Sequence, residues 1–144
     1  MADWQQSELF SVIEDSRRLG LEIEVSGDLA AVGRLCRERA IALGLAVKQC
    51  LVNVQKHAGT NRADVVVYGS DTHVSVMVID NGKGFSEAET GEDRLGIRQS
   101  VRKRIESVEG DVQLWSTIGR GTSVMITVPA CEVVPEETLT VVSP

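Results

Sequence analysis

The residues best equipped for chemistry sit at the end of one apolar run. Val74, Val76 and Val78 alternate with Ser75, Met77 and Ile79, and the run stops at Asp80 before Asn81-Gly82-Lys83-Gly84-Phe85. β-branched residues in this pattern predict a buried strand. An ionised carboxylate accepts hydrogen bonds and donates none, so Asp80 at the strand's end suits a donor group on a ligand. Gly82 and Gly84 would let backbone approach a ligand where a Cβ would clash. Asn81-Gly82 is also a strong hairpin signal, so a plain turn is the competing reading. A second polar set is Gln49, Asn53, Lys56 and His57, whose spacing makes them neighbours along one flank of a helix. That flank serves chemistry only if it faces the pocket; otherwise it is a solvated surface.

Periodicity predicts the elements that must position these groups. Asp3–Leu19 reads as a helix, with Leu9, Phe10 and Ile13 on one face and Gly20 at its C-terminal cap. Leu21, Ile23 and Val25 alternate with Glu22, Glu24 and Ser26 as a half-exposed strand. Asp28 is placed to cap a short helical stretch over Leu29–Val32. A long helix is expected from about Gly33 to Ala58, its buried stripe made by Leu43, Val47, Cys50, Leu51, Val54 and Ala58. Ala63–Tyr68 is strand-like, and Asp71-Thr72 turns it into the central strand as an antiparallel hairpin. Ser86–Arg94 is acidic, poor in apolar residues, and expected to form a mobile loop. Leu95–Val108 reads as a helix, and Val112–Ile118 and Thr122–Val128 read as strands joined through Gly119-Arg120-Gly121. The segment from Glu132 to Pro144 is expected to pack loosely at most. The domain is therefore drawn at 1–130, with a tail at 131–144.

Composition narrows the class of function. The chain has 144 residues, enough for one domain with its own core. It is 42% hydrophobic and 25% charged, an ordinary soluble balance. A net charge of −6 and a pI near 4.9 disfavour a nucleic-acid surface. Cys36, Cys50 and Cys131 lack metal-ligand spacing, and their odd number and scattered placement suit a reducing cytoplasm. No apolar run reaches membrane-spanning length and no signal peptide opens the chain, so no membrane contact is expected of it.

Taken in order, the motifs match a family. A helix ending VKQCLVNVQKHAG, a strand ending VIDNGKGF, an acidic loop, LGI opening a helix, and GRGTSVMITVP follow one another. This resembles the ATP-binding catalytic domain of bacterial sensor histidine kinases, in the gyrase/histidine kinase/MutL ATPase superfamily. The helical box looks most like that of the NarX/DesK-like subgroup, whose pattern is E-A-L-x-N-x-x-x-H-A. The resemblance runs from about Ser7 to Pro129. It implies the Bergerat ATP-binding fold: an α/β two-layer sandwich, about three helices over a mixed, mostly antiparallel five-stranded sheet. It implies that Asp80 accepts from the adenine amino group and that Gly82 and Gly84 pass close to the purine. Asn53 matches the residue that holds Mg²⁺, and a neutral amide oxygen suits a hard cation that keeps waters and takes phosphate oxygens. Lys56 falls where a basic residue meets phosphate, and His57 matches a histidine that either bonds phosphate or is structural. Leu95 and Gly96 match the second glycine box, where a helix N-terminus favours anions. Gly121 and Thr122 match the last box, where the threonine hydroxyl helps to bind adenine.

Two departures stand out. The family's glutamate four residues before the metal asparagine is Gln49 here, and glutamine cannot act as a general base. The glycine that normally precedes Leu95 is Arg94, a side chain able to meet a phosphate itself. The resemblance implies a protein-histidine kinase in two-component signal transduction, a phosphorelay in which ATP's γ-phosphoryl group goes to a histidine on a dimerisation domain. That segment is expected outside this chain, which reads as a catalytic domain cut from a longer kinase or naturally truncated. The expected partners are that phosphoacceptor domain and a response regulator with a LuxR-type helix-turn-helix output. The expected location is the cytoplasm, or the cytoplasmic part of a membrane-anchored sensor. A non-catalytic nucleotide-binding switch and an anti-sigma-type serine kinase are the alternatives.

Overall fold

The computed structural model describes residues 4–84 and 92–131, and the backbone alone at residues 57 and 92–98. Phe85, most of the acidic loop and the tail beyond Cys131 lie outside the described residues.

The first expected helix divides at Ser7. Its hydroxyl donates to the Trp4 carbonyl at 2.7 Å and accepts the Phe10 N–H at 3.1 Å. Serine competes well for a cap and poorly inside a helix, so a 3-10 turn, Trp4–Gln6, precedes helix α1, Glu8–Arg18. Trp4 packs edge-on against Phe10 across this joint, with ring centroids 5.7 Å apart. Strand β1 is Glu22–Gly27, and a 3-10 helix spans Leu29–Arg34. The long helix, α2, is Arg37–His57. It does not run on from Gly33 as expected, because Leu35 and Cys36 are extended, with ψ of 138° and 167°. Distant groups hold that break: the Arg34 carbonyl accepts the Cys131 N–H at 3.0 Å, and the Arg34 guanidinium donates to the Ser70 carbonyl. Helical periodicity cannot register partners so far along the chain.

Strands β2, Arg62–Gly69, and β3, His73–Asp80, form the expected antiparallel hairpin. Helix α3 is Glu92–Glu106, followed by β4, Asp111–Thr117, and β5, Gly121–Pro129. The five strands make one sheet in the order β1-β2-β3-β5-β4, with β1 parallel to β2 and every other pair antiparallel. This is the expected mixed sheet. A parallel neighbour needs a crossover, and the 3-10 helix and α2 supply it.

One face of the sheet is covered. Val65, Val67, Val74, Val76, Ile126 and Val128 are fully buried, as are Leu43, Val47, Leu51 and Ile13 from the helices. The alternate positions Val66, Met77, Ile79 and Met125 are half-buried on the other face, so the protein is a two-layer sandwich. α2 packs against both α1 and α3. Among the described residues no helix is long and apolar enough to cross a membrane.

The reading of three scattered cysteines needs correction. The fold joins Cys36 to Cys131 in a disulfide across 95 residues of sequence, with Cα atoms 5.5 Å apart. Cys50 is free and buried in α2, where lack of solvent pushes its thiol up to about 12. Scatter along the chain says nothing about distance in the fold.

Candidate functional site

Asp80 closes β3 with only 5% of its surface exposed. The Gly82 N–H donates to its Oδ1 at 2.9 Å, and the Thr122 backbone N–H also donates to the carboxylate. Burial raises its pKa above the ordinary 3.8, and these two donors pull the other way. Register explains the company: Asp80 lies opposite Thr122 on β5, and Thr122 lies opposite Ser116 on β4. Thr122 is also buried, and its hydroxyl meets the Ser116 hydroxyl at 2.9 Å. Ser116 Oγ in turn donates to the Gly121 carbonyl at 3.3 Å. A hydroxyl has one proton. Either hydroxyl can be the donor of the pair, and in both cases Thr122 keeps a lone pair for another partner. Asp80 and Thr122 then form an acceptor-rich corner that suits a ligand's amino group. Sequence reasoning missed Ser116; the signal was there, since the Gly119-Arg120-Gly121 turn sets the hairpin register that puts it across from Thr122.

The loop after Asp80 is stitched into the fold on both sides. Lys83 donates its N–H to the Ala58 carbonyl at 2.8 Å and accepts the Gly119 N–H at 2.7 Å. At Gly82 a Cβ would collide with the Ala58 carbonyl at the end of α2. At Gly121, where φ is +112°, it would collide with the Asp80 carbonyl. Gly84 lies against Thr117 in the same manner. The close approaches visible here are therefore backbone to backbone.

The polar flank of α2 leads to the same place. Gln49 and Asn53 are half-buried and Lys56 is exposed. Five residues at 1.5 Å each put Asn53 about 7.5 Å along the helix from Ala58, where the loop docks. The Asn53 side-chain oxygen is buried and has no hydrogen-bond partner among the described residues. An orphaned buried acceptor costs about 1–3 kcal/mol, so it calls for a missing partner. A divalent cation fits: a neutral amide oxygen is a ligand Mg²⁺ accepts alongside waters and phosphate oxygens. Among the described residues no group of three His, Cys, Asp or Glu could hold a metal. The His57 and Arg94 side chains lie outside the described residues. α3 starts at Glu92, three residues before the expected start. Leu95 and Gly96 are therefore the fourth and fifth residues of the helix, at the end where the free N–H groups are.

Comparison with known proteins places this arrangement. A family model described as "Histidine kinase-, DNA gyrase B-, and HSP90-like ATPase" matches residues 38–132, well over half of the chain. Sensor histidine kinase YhcY of Bacillus subtilis (strain 168) is 35% identical over 96 residues, covering 66% of this chain and 25% of that protein. Signal transduction histidine-protein kinase/phosphatase DegS of Brevibacillus brevis is 30% identical over 89 residues, 62% of this chain and 23% of DegS. The chain thus spans about a quarter of these curated relatives. Among solved structures, the Erythrobacter litoralis EL346 blue-light activated histidine kinase superposes with a TM-score of 0.64 at 23% identity, over 85% of this chain and 40% of that one. The mycobacterial sensor histidine kinase MprB gives 0.63 at 21%, over 85% and 92%. The two structures attest the fold. The family match, together with the buried Asp80 and the orphaned Asn53 oxygen, leads to one conclusion: the chain belongs to the histidine kinase-, DNA gyrase B- and HSP90-like ATPase family.

Proposed function

We propose that this chain is the ATP-binding catalytic domain of a two-component sensor histidine kinase, acting in the cytoplasm. It would pass the γ-phosphoryl group of ATP to a histidine on a dimerisation domain, and a response regulator of the LuxR-type helix-turn-helix class would take it on. The observation that carries this reading is Asp80, a buried carboxylate set opposite Thr122 in a domain of this family. In the proposed complex Asp80 accepts from the adenine amino group, and Thr122, oriented by Ser116, offers a second acceptor. Asn53 supplies an amide oxygen to Mg²⁺. Bound there, the metal would neutralise phosphate charge, which is most of what phosphoryl transfer requires. Lys56, one turn on and exposed, is free to meet a phosphate oxygen. His57, Leu95 and Gly96 are assigned to the phosphate side on their place in the motifs alone.

Gln49 keeps a second reading open, a nucleotide-binding switch without chemistry, because no carboxylate stands at that position. Calorimetry with ATP and ADP, with and without Mg²⁺, tests the pocket. Micromolar binding that Mg²⁺ strengthens for ATP is expected; no binding of either nucleotide would end the proposal. Labelled ATP supplied together with a histidine-bearing dimerisation segment separates kinase from switch.

A further inference from the structure

We propose that Cys36 and Cys131 form a reversible thiol–disulfide site, opened by small thiols at Cys36 with Cys131 as the leaving sulfur. The site lies away from the Asp80 pocket, at the start of α2 and the exit of β5. The Cα separation of 5.5 Å falls where a disulfide closes without backbone movement. The two sulfurs have different surroundings. Cys36 is exposed and stands at the N-cap of α2, with no side-chain capping bond. Cys131 is half-buried, and two donors point at its sulfur: the Cys36 N–H at 3.0 Å and Arg39 Nη1 at 3.4 Å. Arg39 is itself held in place, by the Pro129 carbonyl at 3.3 Å and the Glu109 carboxylate at 3.5 Å. A cation and an N–H both stabilise a thiolate. A thiolate so stabilised leaves faster. Solvent reaches Cys36, and the surroundings of Cys131 favour its departure.

The exchange balances with a low-molecular-weight thiol as reductant. Its thiolate attacks Cys36 Sγ, a mixed disulfide forms there, and the Cys36–Cys131 bond breaks with its electron pair on Cys131 Sγ. A second thiolate attacks the mixed disulfide and releases Cys36 as a thiolate, which takes up a proton. One protein disulfide and two small thiols become two protein thiols and one small disulfide, and the small disulfide drives the reverse. Closed, the bond staples the start of the helix that carries Asn53 to Cys131, two residues past the end of β5. Beside the bond, the Cys131 backbone N–H donates to the Arg34 carbonyl at 3.0 Å. A cross-link closing so long a loop stabilises the fold by restricting the unfolded chain.

The test uses the whole chain in buffers of reduced and oxidised glutathione, quenched by alkylation and read by intact mass. One disulfide is expected in oxidised glutathione and none in excess reduced glutathione, with Tm higher by several degrees in the oxidised form. Cys50, buried in α2, should stay unmodified while the protein is folded. Glutathione adducts trapped during reduction should map to Cys36. In a Cys36→Ser background, Arg39→Ala should slow alkylation of Cys131 by iodoacetamide several-fold at neutral pH, and Arg39→Lys should restore most of the rate. Failure of the pair to oxidise, a bond that resists excess dithiothreitol in the folded protein, adducts on Cys131, or alkylation indifferent to Arg39 would each overturn the proposal. The adduct mapping needs no variant, so an Arg39 variant that fails to fold does not leave the question open.

Discussion

At the residue scale, Asp80 and Asn53 each carry a cost of burial in the fold that a bound ligand would relieve. Burial raises the Asp80 pKa, so the native state holds its proton more tightly than the unfolded chain does. Stability contributed by this group is therefore present at low pH and is lost as pH rises from 3.8 through the raised value. Once ionised, the carboxylate burdens the free protein and would serve a ligand's donor group. Asp80→Asn should accordingly leave Tm unlowered while weakening ATP and ADP alike. Losing a hydrogen bond to a charged group, about 1.5–3 kcal/mol, is roughly a 10- to 150-fold loss of affinity, readable by calorimetry. Unchanged affinity would remove Asp80 from the pocket. In the native protein nucleotide affinity should fall as acid protonates Asp80. Asn53→Ala deletes an unsatisfied buried acceptor and installs the best helix former. Its Tm without nucleotide should rise, and the part of ATP affinity that depends on Mg²⁺ should vanish. A lowered Tm with equal losses in both metal conditions would make Asn53 structural.

At the element scale, the β4–β5 hairpin and the end of α2 together fix the loop that follows Asp80. The hairpin register holds Ser116, Thr122 and Asp80 in one line across three strands. Ser116→Ala frees the Thr122 hydroxyl to rotate. A net hydrogen bond of about 0.5–1.5 kcal/mol corresponds to a loss of nucleotide affinity of roughly 2- to 10-fold, with Tm little changed. An unaltered dissociation constant would show that Thr122 needs no such support. Gly82→Ala is the opposite case, because its Cβ has nowhere to go against the Ala58 carbonyl. It should break the Lys83–Ala58 hydrogen bond and lower Tm by several degrees, whether or not nucleotide binds. A fully stable variant would mean that the loop undocks freely.

At the scale of the whole molecule, His73 lies far from the proposed nucleotide site. His73 opens β3, with Nδ1 at 2.8 Å from the Thr72 hydroxyl, and Asp80 closes the same strand. Seven residues at about 3.3 Å put some 23 Å between them, whereas in-line attack needs roughly 3–3.5 Å. His57 ends α2 one helical turn beyond Asn53. The chain incubated with labelled ATP and Mg²⁺ should therefore gain no acid-labile phosphate. A dimerisation segment added in trans should become labelled slowly, because a tethered step has become bimolecular. Stoichiometric label on His57 or His73 would overturn this, and acid-stable label on an added partner would favour a serine kinase.

Local order was readable from the sequence. The valine alternation of β3, the apolar stripe of α2 and the glycine turn before Thr122 each follow from side-chain period and backbone freedom, which act within a few residues. Asp80, Asn53 and Thr122 could be singled out because motif spacing travels with those elements. The joints were less legible. The break at Leu35–Cys36 depends on Cys131 and Ser70, the pairing of Cys36 with Cys131 depends on where β5 ends, and the orphaned Asn53 oxygen depends on what fails to reach it. Gly82 also makes room for the end of α2, a neighbour that the sequence did not indicate. Period and propensity are properties of neighbours along the chain, whereas hydrogen-bond partners and steric collisions are properties of neighbours in space, and only the folded sandwich decides which residues those are.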